Sequence, residues 1–197
     1  MTIGLVSFST PKYREIYETH LKPTEKFWFS ESMHIEYDDV RTWTRGTQYK
    51  PKAILEALEH WDSCLYLDSD ARITDARVNG IGCISGDSPI SCVFLDHEAW
   101  YGGDSKRMEP LTGTLYFTRE AIPFIEEWQA AMLGTEKTDG EVFQDLLRTS
   151  RISAKQLDIE WAYITSLPRG GIGGIKCTSP IITHHQASRR FKKCLSM

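Results

Sequence analysis

The hydrophobic residues fall into alternating blocks that predict alternating strands and helices. Short apolar runs typical of buried strands occupy residues 2–9, 64–67, 90–95, 111–118 and 180–184. Residues 50–61 and 119–133 instead carry apolar residues at helical spacing, and Pro51 suits the first turn of a helix. This alternation favours an α/β fold, with a central mixed sheet flanked by helices.

Three other segments carry weaker patterns. Residues 26–29 are predicted as a second strand, and residues 159–164 as a strand or a sheet edge. Residues 138–147 predict a helix, with Thr138 or Asp139 as its N-cap.

Length and composition fit one globular domain over residues 1–197. The 41% hydrophobic and 25% charged content is ordinary, and the net charge of −4 argues against a general affinity for nucleic acid. The basic cluster at 189–193 is a local exception, and a solvated terminus is the plain alternative for it.

The cysteines and the first residues bear on the compartment. Five cysteines form no Cys-x-x-Cys pair, which argues against a zinc site or a disulfide framework and favours a reducing compartment. The apolar residues 1–9 are too short for a signal peptide or a transmembrane segment. We therefore expect a cytoplasmic protein.

The strand at 64–67 ends abruptly at Asp68, Ser69 and Asp70. α/β sheets bind ligands at the carboxyl ends of their strands, and two carboxylates two residues apart can converge on one divalent cation. Oxygen ligands of this kind suit Mg²⁺ or Mn²⁺. Aspartates are also common in turns, so the pair alone is a weak signal.

A helix, a strand and Asp-x-Asp in this order resemble the metal-dependent glycosyltransferases of the GT-A fold, which use nucleotide sugars. The resemblance spans residues 2–10, 46–73, 109–147 and 180–190. It implies that Asp68 and Asp70 hold the metal that grips the donor diphosphate.

The end of the chain is similar to the His-Phe-x-Gly-x-x-Lys run of glycogenin-like members. There the histidine completes the metal site and the lysine touches the donor phosphates. His184 matches that histidine and Arg190 the lysine, while His185 and Ala187 depart from the pattern. The resemblance thus implies that His184 joins Asp68 and Asp70 around Mn²⁺ or Mg²⁺.

The same resemblance suggests further donor contacts. Thr10 and Tyr13 follow the first strand, where the nucleoside pocket lies in the GT-A fold, although a capping Thr and a core-facing Tyr would look the same. Ser69 lies between the two aspartates. Lys50, near a helix start, could reach an anionic diphosphate.

Acceptor and catalytic residues are expected in three places. Trp100 resembles a residue of a sugar-facing loop, and Gly113 and Thr114 match a Gly-containing strand that lines the acceptor site. Asp139 matches the acidic residue that begins a helix near the reacting centre. Gly140 replaces the usual second polar residue, so Glu141 is the other candidate base.

We therefore expect transfer of a sugar from a nucleoside-diphosphate donor, such as a UDP-sugar, to an acceptor hydroxyl. A bulky acceptor is expected, whether a glycan, a lipid-linked glycan or modified DNA. The alternatives are a metal-dependent phosphohydrolase or nucleotidyltransferase using Asp68 and Asp70, and a non-catalytic nucleotide-sugar binding module. The basic cluster at 189–193 would close over the donor or grip a polyanionic acceptor.

Overall fold

The structure is a computed structural model that describes residues 2–38, 43–96, 98, 108–165 and 177–185. Its strands are β1 Ile3–Ser9, β2 Ser32–Glu36, β3 Ser63–Leu67, β4 Ala71–Ile73, β5 Ile90–Asp96, β6 Met108–Thr118, β7 Ala154–Leu157, β8 Tyr163–Ile164 and β9 Ile182–His184. Its α-helices are α1 Arg14–Thr19, α2 Lys22–Trp28, α3 Trp43–Thr47, α4 Tyr49–His60, α5 Ile81–Ser85, α6 Ile122–Met132 and α7 Asp139–Thr149. Short 3₁₀ turns cover Pro11–Tyr13, Ala76–Gly80, Arg119–Ala121 and Ile159–Ala162.

Six strands form a central mixed sheet in the order β2-β1-β3-β6-β5-β7. β1 runs parallel to β2 and β3, whereas β6 is antiparallel to β3 and β5. A second sheet of three strands has the order β4-β9-β8. The expected α/β fold with a mixed sheet and flanking helices is therefore confirmed.

The central sheet is covered on both faces. In β3, Cys64 and Tyr66 belong to the core under α4, α6 and α7, whereas Leu65 and Leu67 belong to the core on the opposite face. All five residues of β3 are buried, which explains why its sequence is apolar without alternation. Trp128 of α6 is fully buried in the first of these cores.

One predicted strand is wrong, and another is correct only in its last two residues. Residues 26–29 belong mainly to α2, because Pro23 lies in its first turn, where a fixed φ favours a helix. The second strand comes later, at the sheet edge, as the half-buried β2. Of residues 159–164, only the last two are in a strand, and the others form a 3₁₀ turn.

A bulge interrupts the pairing of β5 with β6. Cys92 pairs with Leu115, but the next residue, Val93, pairs with Leu111. Residues 112–114 are therefore extra on β6 and lie outside the β5 ladder. Bulges of this kind bend a strand and redirect its side chains, often beside a functional site.

Candidate active site

The bulge at residues 112–114 contacts Lys50, Asp68 and His184, which come from three other elements of the fold. The Thr112 carbonyl accepts a hydrogen bond from Lys50 Nζ at 2.8 Å, and the Gly113 carbonyl accepts one from the Asp68 amide at 2.9 Å. The Thr114 hydroxyl lies 2.8 Å from His184 Nε2. Groups far apart in sequence therefore meet on three consecutive residues of β6.

Asp68 and Asp70 lie in the turn between β3 and β4, as expected for residues at the end of a buried strand. Tyr66 donates a 2.8 Å hydrogen bond to Asp68 Oδ1. The Asp68 side chain remains 38% exposed, whereas that of Asp70 is 14% exposed. Burial raises the pKa of Asp68, with Asp70 adding to the shift and the Lys50 ammonium opposing it.

His184 reaches this turn through the second sheet. β9 pairs with β4 so that His184 lies opposite Ala71, and its Nδ1 lies 3.3 Å from Asp70 Oδ1. Its other ring nitrogen is held by Thr114. The structure thus brings together His184 and Asp70, two of the three residues that the resemblance implies as metal ligands.

This pair has a suitable spacing for one divalent cation. Two ligands about 2.1 Å from one ion, at roughly right angles, lie about 3 Å apart, close to the 3.3 Å between Asp70 Oδ1 and His184 Nδ1. In the parts of the chain that the structure describes, no group of three His, Cys, Asp or Glu side chains is already arranged around one position for a metal ion. The spacing of this pair is compatible with a shared cation, and Asp68 lies two residues before Asp70 in the same turn.

Gly113 leaves the space between these groups open. A Cβ atom at this position would lie 2.9 Å from His184 Cε1 and 3.2 Å from Asp68 Oδ2. His184 and Asp68 therefore both border the volume in front of Gly113, and any larger residue would displace them. Thr114, another predicted acceptor residue, is fully buried and in contact with His184.

Lys50 differs most from its prediction. The sequence suggested that it touches the donor diphosphate, but its side chain is 4% exposed and lies 2.6 Å from Asp139 Oδ2 and 3.0 Å from Asp68 Oδ1. Burial disfavours the ammonium, but these two carboxylates outweigh it, so the net effect raises the pKa of Lys50. Lys50 therefore joins Asp68 to Asp139.

Asp139 and Glu141, the two candidate bases, occupy different environments. Thr138 is the N-cap of α7, and the Glu141 carboxylate accepts its amide hydrogen in a capping box. Asp139 is the first residue of the helix, is 4% exposed, and accepts a 2.7 Å hydrogen bond from Thr112 Oγ1. The structure brings Asp139 into the site, whereas Glu141 caps its own helix.

These environments predict opposite results for two amide substitutions. Glu141→Gln should leave turnover unchanged and stability within about 0.5 kcal/mol, because glutamine also completes a capping box. Asp139→Asn should lower turnover by about 100-fold or more, because it removes the negative charge opposite Lys50. Steady-state kinetics with thermal melts would check both, and a large rate loss in Glu141→Gln would make that residue the better candidate.

The predicted donor residues lie around the Asp-x-Asp turn. Ser69 donates a 2.5 Å hydrogen bond to the Phe8 carbonyl and so fixes the turn to β1. Burial, followed by the charges of Asp70 and Asp68, raises the pKa of Tyr13 to about 12. Thr10 is buried, and its carbonyl accepts the amide hydrogen of Tyr13.

Two residues of this network were not predicted from the sequence. Tyr66 belongs to an apolar strand, and Thr112 resembles any strand threonine. The sequence does single out this part of β6, because Gly113 lies between two threonines. Trp100 and Arg190, together with the basic cluster at 189–193, lie outside the described residues.

A separate polar cluster lies between β1, β2 and α1. The His34 ring stacks on Tyr17 with centroids 3.4 Å apart, and its nitrogens lie 2.8 Å from Ser7 Oγ and 2.9 Å from Ser9 Oγ. Burial lowers the pKa of His34 to about 4, although the Glu36 charge opposes the shift. The folded protein therefore holds this imidazole neutral.

This cluster predicts a loss of stability in mild acid. An unfolded histidine has a pKa near 6.5, so the unfolded state takes up a proton first as the pH falls. The contribution of His34 should be complete above about pH 6.5 and be lost as the pH falls toward about 4. Melting temperatures from pH 7.5 to 4.5 should fall less steeply for His34→Gln than for the wild type. His60→Gln, at an exposed position of α4, is the control and should follow the wild type.

The fold and the site together define a class of protein, the GT-A-type α/β fold with acidic residues at the carboxyl end of a parallel strand. The sequence matches no protein-family model and no curated protein. A glycosyltransferase involved in glycosylation of the major capsid of PBCV-1 matches over 100% of both chains, with a TM-score of 0.71 and 15% identity. This chain shares the fold of that glycosyltransferase, which agrees with the resemblance to the GT-A fold inferred from the sequence.

Two further structures support the same fold. Mouse xyloside xylosyltransferase 1 matches with a TM-score of 0.62 and 9% identity, over 95% of this chain and 99% of that one. The glycosyltransferase GlyE of Streptococcus pneumoniae matches with a TM-score of 0.60 and 14% identity, over 94% of this chain and 55% of its own. Within the described ranges, none of the helices has the length and apolar character needed to cross a bilayer.

Proposed function

We propose that this protein transfers a sugar from a nucleoside-diphosphate donor to an acceptor hydroxyl, with Mn²⁺ or Mg²⁺ as its cofactor. One observation carries the proposal: Asp70 and His184, 114 residues apart, meet at 3.3 Å beside Asp68 at the end of β3. The structural neighbours are glycosyltransferases, and one of them, LgtC, was solved with donor and acceptor sugar analogs.

Each residue has a distinct role in this reaction. Asp68, Asp70 and His184 would hold the cation, which supplies positive charge that stabilises the leaving diphosphate. Thr10 and Tyr13 would line the nucleoside side of the turn, and Asp139 would face the transferred sugar from the start of α7. An acceptor that is bulky, such as a glycan, would approach from the side of Gly113.

A nucleotide-sugar panel tests the proposal. The purified protein would be incubated with UDP-sugars and other nucleotide sugars, in Mn²⁺ or in EDTA, and nucleoside diphosphate and sugar products would be quantified. We expect both products to be released in Mn²⁺ and neither to be released in EDTA. Inorganic phosphate would indicate a phosphohydrolase instead, and thermal stabilisation without any product would indicate a binding module.

A further inference from the structure

Lys50 carries a buried positive charge whose hydrogen-bonding capacity is fully used within the protein. Its Nζ lies 2.6 Å from Asp139 Oδ2, 3.0 Å from Asp68 Oδ1 and 2.8 Å from the Thr112 carbonyl. An ammonium group has three hydrogens to donate, so three oxygens at these distances satisfy it. Nothing in this arrangement leaves a donor for a phosphate.

The two carboxylates also have neutral partners of their own. Tyr66 donates to Asp68 Oδ1 at 2.8 Å, and Thr112 Oγ1 donates to Asp139 Oδ2 at 2.7 Å. The position of each carboxylate therefore does not depend on Lys50 alone. Within this contact network, Lys50 alone supplies a positive charge that compensates the two carboxylates.

The charges of the site leave a simple balance. Among the residues that the structure describes, Asp68, Asp70 and Asp139 contribute three negative charges and Lys50 one positive charge, which leaves −2 when His184 is a neutral ligand. This value matches one divalent cation. Without Lys50 the balance would be −3, and without the Asp139 charge it would be −1.

We propose that Lys50 is a positioning residue that sets the affinity of this site for a free divalent cation. Its ammonium, in contact with Asp68, repels the incoming cation, so the site binds a free cation only weakly. The donor diphosphate then brings further oxygens and negative charge, and the cation and donor bind together. The inference rests on the proposed function, because it concerns the cation site of that reaction.

A charge series tests this directly. Mn²⁺ binding would be measured by electron paramagnetic resonance with no nucleotide sugar present. Lys50→Gln should bind Mn²⁺ more tightly than the wild type, and Asp139→Asn more weakly, each by about tenfold, because ligand charge sets cation affinity. The double variant Lys50→Gln/Asp139→Asn restores −2 and should return to the wild-type affinity.

Adding UDP provides the second arm of the test. UDP should raise the Mn²⁺ affinity of the wild type more than that of Lys50→Gln, because the variant no longer depends on the charge of the diphosphate. Lys52→Gln is the matched control, since Lys52 is an exposed residue of the same helix, 3.7 Å from Glu56 Oε1. It changes the net charge of the protein equally and should leave Mn²⁺ binding unchanged.

The outcomes separate this inference from the proposed function. If Lys50→Gln folds poorly, the double variant still tests the idea, because it removes both charges of the buried pair. A wild type that binds Mn²⁺, with Lys50→Gln unchanged or weaker, would overturn the role of Lys50 and leave the transfer reaction standing. Where Lys50→Gln does not fold, a double variant that binds Mn²⁺ no more tightly than Asp139→Asn would overturn it in the same way. A wild type that binds no Mn²⁺, even with UDP, would overturn the metal-dependent reaction and this inference with it.

Discussion

Replacing Asp70 with Asn should reduce sugar transfer by about 1000-fold or more while the protein remains folded. Asparagine has the same size, but it loses the charge that a hard divalent cation requires from this ligand. The turn itself depends on main-chain bonds, including the one from the His185 amide to the Asp70 carbonyl. Stability should therefore change little.

The measurement combines turnover, Mn²⁺ binding and a thermal melt. Asp87→Asn is the control, because Asp87 is an exposed aspartate before β5. Asp68→Asn should also inactivate the enzyme, but it would disturb Lys50 as well, so Asp70 gives the cleaner result. If Asp70→Asn retained full turnover in buffer freed of metal, the proposed cation site would be wrong.

Replacing Gly113 with Ala should be almost as damaging, although it adds only one methyl group. The new Cβ would lie 2.9 Å from His184 Cε1, and His184 has little room to move because Thr114 and β9 hold it. We expect a loss of turnover of about 100-fold and weaker Mn²⁺ binding, with a stability cost of about 1–3 kcal/mol from overpacking.

Gly140→Ala is the matched control, since it adds the same methyl group to the other glycine that borders Thr112. There the Cβ would lie 3.6 Å from Thr112 Oγ1, which is an ordinary contact. Alanine within a helix is favoured over glycine by about 0.5–1 kcal/mol, so the protein should become slightly more stable and should bind Mn²⁺ normally. Equal effects of the two substitutions on Mn²⁺ binding would contradict the role given to Gly113.

Much of the fold could be predicted from the sequence, because local patterns determine it. β3 is buried on both faces and was found as an apolar run, and α4 was found by its spacing and by Pro51. The pattern does not reveal α2, because a short segment with three aromatic residues, 26–29, fits a strand as well as a helix. The proline in its first turn was the better guide.

The candidate site was predictable where single residues end a strand. Asp68, Asp70 and His184 each follow or close a strand, and the structure brings His184 to Asp70. The environment of Lys50 was not predictable, because its burial depends on Thr112 and Asp139, which lie 62 and 89 residues further along the chain. A lysine near a helix start looks the same whether it faces solvent or two buried carboxylates.

The bulge also suggests that the regular sheet and the residues that support the active site are separate features of this protein. Residues 112–114 are additional to the regular register of β5 and β6, in which Val93 would otherwise face Thr114. A chain without these three residues could form an unbroken β5–β6 ladder, yet it would lose the carbonyl groups that hold Lys50 and the Asp68 amide. Residues 112–114 are thus an insertion in β6 that supports site residues from other elements, and changes within it can alter activity while the rest of the architecture persists.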